Sequence, residues 1–170
     1  MIDLNRLSIE QWDATHLRWP ELVHYIQHED LAVGVIEDER PVPDARYLVV
    51  PTASEIAGFL MLIIQPIGPE MDCPILQSSA GIPLLEAKIR AFHVREGYRN
   101  HGIGTALQQA VLQTAARCGC YQVRSWSAST RASNYAIKVK LGFAAHPSPR
   151  TIRGVVVPGI YWIKRVDGGC

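Results

Sequence analysis

The run Arg95-Glu96-Gly97-Tyr98-Arg99-Asn100-His101-Gly102-Ile103-Gly104 carries residue types and spacings that can do chemistry. It separates a strand-like run, Leu84–Val94, from a helix-like run that begins at Thr105. A strand that turns through two glycines into a helix leaves several backbone N–H groups pointing at one spot, and the helix macrodipole adds partial positive charge there. A phosphate is the natural guest of such a place. A side chain at Gly102 or Gly104 would hold the phosphate off the backbone, and Arg99 can add a charge-assisted contact.

Three kinds of phosphate ligand fit a glycine loop. A P-loop needs a lysine directly after its last glycine, and Thr105 follows Gly104. A dinucleotide site wants a third glycine and a ribose-binding acid about 20 residues on. Leu107 stands at the third-glycine position, and no carboxylate occurs between Gly97 and Val166. The third ligand is the pyrophosphate of coenzyme A.

The elements around the loop are read from periodicity. A short strand is expected at Ile2–Leu7, and a helical stretch over Ile9–Gln27, with Ser8 as cap and Pro20-Glu21 opening its second piece. Leu31–Ile36 stays unassigned, and Glu37–Asp44 is a charged loop with two prolines. Arg46–Val50 and Ala57–Ile64 read as a hairpin. Gln65–Pro83 is a long loop, read as a lid or mobile segment, whose Met71, Ile75, Leu76 and Ile82 either cover a substrate or, as the plainer reading, anchor the loop. After strand Leu84–Val94 comes a helix with Leu107, Val111 and Ala115 inward and Gln108, Gln109 and Gln113 outward, stopped by Gly119. Tyr121–Ala128 is a strand and Arg131–Leu141 a helix stopped by Gly142. Phe143–Ala145, Gly154–Val157 and Gly159–Val166 are terminal strands. The strand–helix–strand crossover places two parallel strands in an otherwise antiparallel sheet.

Composition narrows the classes. The 170 residues suit one domain, 1–170, with an ordinary hydrophobic fraction and no repeat. No apolar run is long enough to span a membrane, and no basic start leads into an apolar leader, so a cytoplasmic protein is expected. The four cysteines lack metal-finger spacing and read as free thiols; no metal is expected. The four tryptophans read as core or interface aromatics, with no stacking run for nucleic acid. The formal charge is +1, yet Met1–Glu96 sums to −8 and Gly97–Cys170 to +9. Such halves either favour a polyanion and a cation as separate guests, or neutralise each other on folding.

The run Arg99-Asn100-His101-Gly102-Ile103-Gly104 resembles the Arg/Gln-x-x-Gly-x-Gly/Ala signature of the GNAT superfamily of N-acetyltransferases. Val94, Leu107, the Leu141-Gly142-Phe143 ending and the strand order extend the resemblance over about Arg46 to Val166. It implies an α/β fold (α+β in some schemes): a single mixed, mostly antiparallel sheet with helices on both faces. One parallel pair would splay to take acyl-CoA. The implied activity is transfer of an acetyl group from acetyl-CoA to a primary amine of a small molecule or peptide, by direct attack in a ternary complex. The implied cofactor residues are the main chain of Phe92 and Val94, Arg99, Asn100, His101, Gly102, Ile103, Gly104 and Thr105, and Asn134.

The resemblance also sets out where catalytic groups belong. Glu86, Lys88, Arg90, Phe92 and Val94 share one strand face, with His93 on the other. Lys88 holds a position where some members carry a glutamate, which leaves Glu86 as the candidate base; an ion pair with Lys88 or Arg90 is its plain alternative. Lys138, by default a solvated surface lysine, stands where the thiolate-protonating tyrosine is usual, so Tyr135 is the candidate acid, with Lys138 or solvent as the alternatives. These departures keep a second function open: a catalytically degraded module that binds or senses acyl-CoA. A basic half docking RNA is a weaker third. Partners are therefore acetyl-CoA and an amine acceptor, with membrane and nucleic acid not expected and a homodimer left open.

Overall fold

The computed structural model describes residues 8–166. In chain order the elements are β1 (Glu10–Trp12), α1 (Trp19–His28), β2 (Ile36–Glu37), β3 (Arg40–Pro41), β4 (Ala45–Pro51), β5 (Ile56–Pro66) and β6 (Leu85–Val94). They continue with α2 (Ile103–Arg117), β7 (Gln122–Ala128), α3 (Ala132–Lys140), β8 (Ala144–Pro147), β9 (Arg150–Ile152), β10 (Val155–Val157) and β11 (Gly159–Arg165). Seven strands make a mixed sheet, and β2–β3 and β9–β10 are two-stranded ladders. The chain divides into two units: Met1–Ile63 with Arg90–Ala110, and Ile64–Ile89 with Val111–Cys170.

The first unit orders its strands β1-β4-β5-β6. β4 and β5 pair antiparallel, as the hairpin reading expects, with Tyr47 opposite Met61 and Val49 opposite Phe59. Those four side chains are buried in one core with Trp12, Trp19, Leu22 and Tyr25. Their neighbours Leu48, Val50, Leu60 and Leu62 are buried as well. Strands covered on both faces need the nearly unbroken apolar runs seen here.

The helical expectation over Ile9–Gln27 is corrected: its first part is β1 and a turn. Thr15 donates both its backbone N–H (2.8 Å) and its hydroxyl (2.6 Å) to Asp13 Oδ1, a local bond that competes with a helix. Ser8 does not cap a helix; its hydroxyl donates to Glu10. α1 begins at Trp19 with Pro20 and Glu21 in its first turn, as expected. The strand expected at Ile2–Leu7 lies outside the described residues.

The second unit orders its strands β6-β7-β11-β8. The β6–β7 ladder is parallel, from Glu86 opposite Gln122 to Ile89 opposite Ser125. This is the parallel pair that the crossover predicts. β11 pairs antiparallel with β7 and β8. α3 ends in a Schellman motif: Gly142 takes φ 75° and Phe143 N–H donates to Lys138 O at 3.0 Å.

Two expectations fail on the same ground, that a polar or apolar side chain goes where packing puts it. Gln108, expected outward, is 1% exposed. Met71, Ile75, Leu76 and Ile82, expected either to anchor the 65–83 segment or to cover a substrate, are 44–64% exposed and do not anchor it, whereas Ile67 is buried there. The segment is also more ordered than a loop reading implies. β5 runs on to Pro66, Pro69–Met71 forms a 3-10 turn, and Leu84 N–H donates to Leu76 O at 2.8 Å.

Candidate functional site

In the first unit, β6 ends at Val94 and a 3-10 turn, Glu96–Tyr98, leads to Arg99. Asn100 (φ 63°) and Gly102 (φ 81°) then take left-handed backbone, which turns the chain into α2. Left-handed φ costs about 1–2 kcal/mol for ordinary residues and little for glycine, and asparagine tolerates it. A Cβ at Gly102 would meet no atom within 4 Å, so the glycine answers to its φ and the space above it is open.

α2 begins at Ile103, two residues earlier than the sequence reading has it. The first intrahelical bond is Ala106 N–H to Gly102 O at 3.0 Å. The N–H groups of Ile103, Gly104 and Thr105 therefore precede the helical ladder and have no intrahelical acceptor. No acidic residue occupies this first turn to compete for them. A loop of reversed φ feeding a helix start is an anion cradle made of main chain. His101 Nδ1 lies 2.6 Å from Arg99 O, which folds the loop on itself.

Arg99 donates from Nε to Val94 O at 3.0 Å, tying the loop to the end of β6. His93, expected on the opposite face of β6 from Val94, faces α1: its Nδ1 is 2.8 Å from Tyr25 Oη and its Nε2 is 3.6 Å from Glu29 Oε2. Burial, more than the cations of Arg95 and Arg99 can offset, pushes the Tyr25 phenol above its ordinary range.

The second unit holds a buried charge cluster. Glu86, fully buried, accepts from Arg124 Nε at 2.8 Å, and from Gln122 and Gln65 at 3.0 and 2.9 Å. Arg124 is thus a partner of Glu86 that the sequence reading did not name. Burial raises the Glu86 carboxyl, but hydrogen bonds from Arg124, Gln122 and Gln65 outweigh it and hold the group below the usual carboxylate range. Burial likewise works against the charge on Arg124, and Glu86 overcomes it.

Glu70, from the 3-10 turn, joins the cluster with one oxygen on Lys88 Nζ and the other 2.6 Å from Arg124 Nη2. Acids of the N-terminal half and a base of the C-terminal half neutralise each other here. Lys88 and Arg124 are opposite each other in the parallel ladder, which is why both reach the same carboxylate. Sequence reasoning missed Arg124, Glu70, Gln65 and Gln122. The one available signal is the alternation of Gln122 and Arg124 on a strand with Val123 buried between them.

On α3 of the same unit, Tyr135 donates its hydroxyl to Ala128 O at 3.2 Å and packs on Trp162. Asn134 Oδ1 is buried without a hydrogen-bond partner among the described residues. Lys138 corrects the surface expectation: it is fully buried, with Nζ 4.1 Å from the Phe143 ring centroid. Desolvation lowers its pKa to about 7.

The acetyltransferase (GNAT) family model matches residues 7–143. No curated protein matches the chain in sequence. Among solved structures, Arabidopsis thaliana NAA60 in complex with acetyl-CoA is similar at TM-score 0.73 and 15% identity, over 95% of this chain and 99% of that one. The ribosomal-protein-S18-alanine N-acetyltransferase of Escherichia coli aligns at TM-score 0.65 and 14% identity, over 96% of each chain. A Bacillus subtilis acetyltransferase in complex with CoA aligns at 0.59 and 13%, over 94% and 99%. At these identities the structural likeness speaks for the fold, and the family match, which takes in the loop, the cradle and the Leu-Gly-Phe ending, shows that this chain belongs to the acetyltransferase (GNAT) family.

Proposed function

We propose that this chain is an acetyl-CoA-dependent N-acyltransferase whose acceptor is a primary amine of a small molecule or peptide. The cradle at Asn100–Thr105 carries the reading: three helix-start N–H groups, two left-handed residues and no competing acid form a seat suited to a pyrophosphate. NAA60 and the B. subtilis acetyltransferase are seen with acetyl-CoA and CoA, which supports that ligand. The E. coli relative is named for an alanine of a ribosomal protein, which supports a peptide amine within the acceptor class. The family match takes in parts of both units, which supports one acyltransferase domain.

In this reading Ile103, Gly104 and Thr105 hold phosphate oxygens by their N–H groups. Asn100, His101 and Gly102 shape the loop, and Arg99 keeps it on Val94 O while lending positive charge. Main-chain groups of Phe92 and Val94, beyond the last residue of the parallel ladder on β6, take the pantetheine arm. The unpartnered Oδ1 of Asn134 is a further cofactor contact. Acetyl-CoA supplies a thioester whose C–S bond breaks as the amine N–C bond forms.

The proton work falls unevenly on the residues present. The Glu86 carboxylate is saturated by donors and held ionised, so as a base it acts weakly and mainly orients Arg124; the amine proton passes to water. Tyr135 donates its hydroxyl to Ala128 O and can turn that hydroxyl toward a leaving thiolate. The full burial of Lys138 where a tyrosine is usual favours the second reading, a degraded acyl-CoA sensor. Thiol release from acetyl-CoA across a panel of amines separates the two. Turnover with at least one amine supports transfer, whereas tight binding with no turnover on any amine supports the sensor.

A further inference from the structure

We propose that Ser125 binds the pantetheine arm of acetyl-CoA, donating its hydroxyl to the carbonyl of an arm amide whose N–H donates to Asn134 Oδ1. The assignment rests on the acetyl-CoA reading above and adds Ser125 to it.

Ser125 is the β7 residue of the last pair in the parallel ladder, opposite Ile89, and β7 runs on to Ala128 beyond it. On its other side it stands opposite Trp162 of β11. Directly opposed residues of adjoining strands share a sheet face, and so do residues two apart on one strand. Ser125, Ser127 and Trp162 therefore line one face. α3 packs on that face, with the Tyr135 and Trp162 ring centroids 5.1 Å apart. Asn134 adjoins Tyr135 on this helix and stands one turn before the fully buried Lys138.

One polar atom from the strand and one from the helix of this layer are hidden from water without a hydrogen-bond partner among the described residues: Ser125 Oγ and Asn134 Oδ1. Ser125 as a whole is 4% exposed. Its neighbour on the same face shows what a satisfied hydroxyl looks like there, since Ser127 Oγ accepts from Trp162 Nε1 at 2.9 Å. Leaving a buried polar atom unpaired destabilises a fold, so two in one layer mark binding capacity that the chain does not use on itself.

The two atoms have complementary needs. A serine hydroxyl has a proton to donate, whereas the amide oxygen of asparagine only accepts. A secondary amide offers a carbonyl to the first and an N–H to the second, and the pantetheine arm carries two such amides. The one nearer the sulfur is the better match, because Phe92 and Val94, assigned to the outer arm, follow Ile89 along β6. Both atoms are closed to solvent in the free chain. Binding therefore shifts the packing over them, and no water then competes for the two bonds.

The test measures binding of acetyl-CoA, S-acetylpantetheine and ADP by calorimetry, together with the melting temperature of the free chain, for the unmodified protein, Ser125→Ala and Asn134→Ala. Ser125→Ala should weaken acetyl-CoA and S-acetylpantetheine by the same factor, about five- to tenfold, and leave ADP, which has the pyrophosphate without the arm, unchanged. Its melting temperature should not fall, because the substitution removes an unpaired hydroxyl and no bond within the chain. Asn134→Ala should weaken the same two ligands and spare ADP. Unchanged affinity for both thioesters in Ser125→Ala overturns the proposal, and so does a loss that includes ADP. A lower melting temperature with unchanged affinities assigns the hydroxyl to a structural water and overturns it as well. If Ser125→Ala fails to fold, an unchanged S-acetylpantetheine affinity in Asn134→Ala overturns the pair. Should the unmodified chain bind neither thioester, the coenzyme reading and the pair fall together. Binding with the expected losses but no transfer to any amine leaves the pair standing and ends only the transferase reading.

Discussion

The cradle of the first unit is made of main chain and the cluster of the second is made of side chains. The cradle spends almost nothing on charge: backbone N–H groups, two residues of left-handed φ and one exposed arginine suffice. The cluster packs Glu86, Lys88 and Arg124 into buried positions, with Glu70 reaching them from an exposed turn. The difference teaches where each region is vulnerable. A cradle fails in binding when its backbone is obstructed, with modest cost to the fold. A buried charge cluster fails in stability first, because removing one member strands another.

The largest expected effect follows from the cluster. Glu86→Ala leaves Arg124 buried with half its partners gone, a loss of about 3–5 kcal/mol. For a chain of this size the melting temperature should fall by roughly 10 °C. A fall of only a degree or two would break the contrast.

Gly102→Val tests the other side. A β-branched residue at φ 81° is strained and intrudes on the open space over the loop. Calorimetry should show acetyl-CoA affinity reduced about 100-fold, two lost contacts to charged oxygens being enough. A melting temperature that drops as far as in Glu86→Ala would show that the cradle also bears the fold.

Lys138 sharpens the comparison through pH. Its pKa is about 7 in the folded chain, below the 10.5 of an ordinary lysine. Between those values the unfolded state binds the proton and the folded state does not, so stability rises with pH. The gain from this group is about 1.4 kcal/mol per pH unit, and the penalty is fully present below pH 7. Lys138→Met should therefore stabilise most at and below neutrality, and the two chains should converge toward pH 10.5 in denaturant titrations. An advantage that does not change with pH would contradict the buried neutral amine. Smallest is Arg99→Ala, expected to weaken acetyl-CoA about fivefold with an unchanged melting temperature, since the side chain is exposed and one charge-assisted contact is at stake.

The same contrast explains what was legible in the sequence. The cradle lies within seven consecutive residues, and glycine spacing, an asparagine suited to left-handed φ and a helix start are local signals. The β4–β5 hairpin and the β6–α2–β7 crossover were readable for the same reason. The cluster draws on positions 65, 70, 86, 88, 122 and 124, which only the sheet register brings together. Glu86 was visible as a carboxylate on a strand face, but its partner Arg124 was not, because pairing across a parallel ladder leaves no mark in either segment. Lys138 was misjudged because lysine is usually solvated; its burial follows from a Schellman ending that stacks it over Phe143. The start of the chain misled because Asp13 and Thr15 close a turn where apolar spacing suggested a helix.

The most direct test of the cradle's role compares acetyl-CoA with S-acetylpantetheine, which lacks the pyrophosphate, by titration calorimetry on the unmodified chain and on Gly102→Val. The account predicts that acetyl-CoA binds far better than acetylpantetheine to the unmodified chain, and that Gly102→Val erases most of that advantage without changing acetylpantetheine. Equal binding of acetyl-CoA by both chains would contradict it.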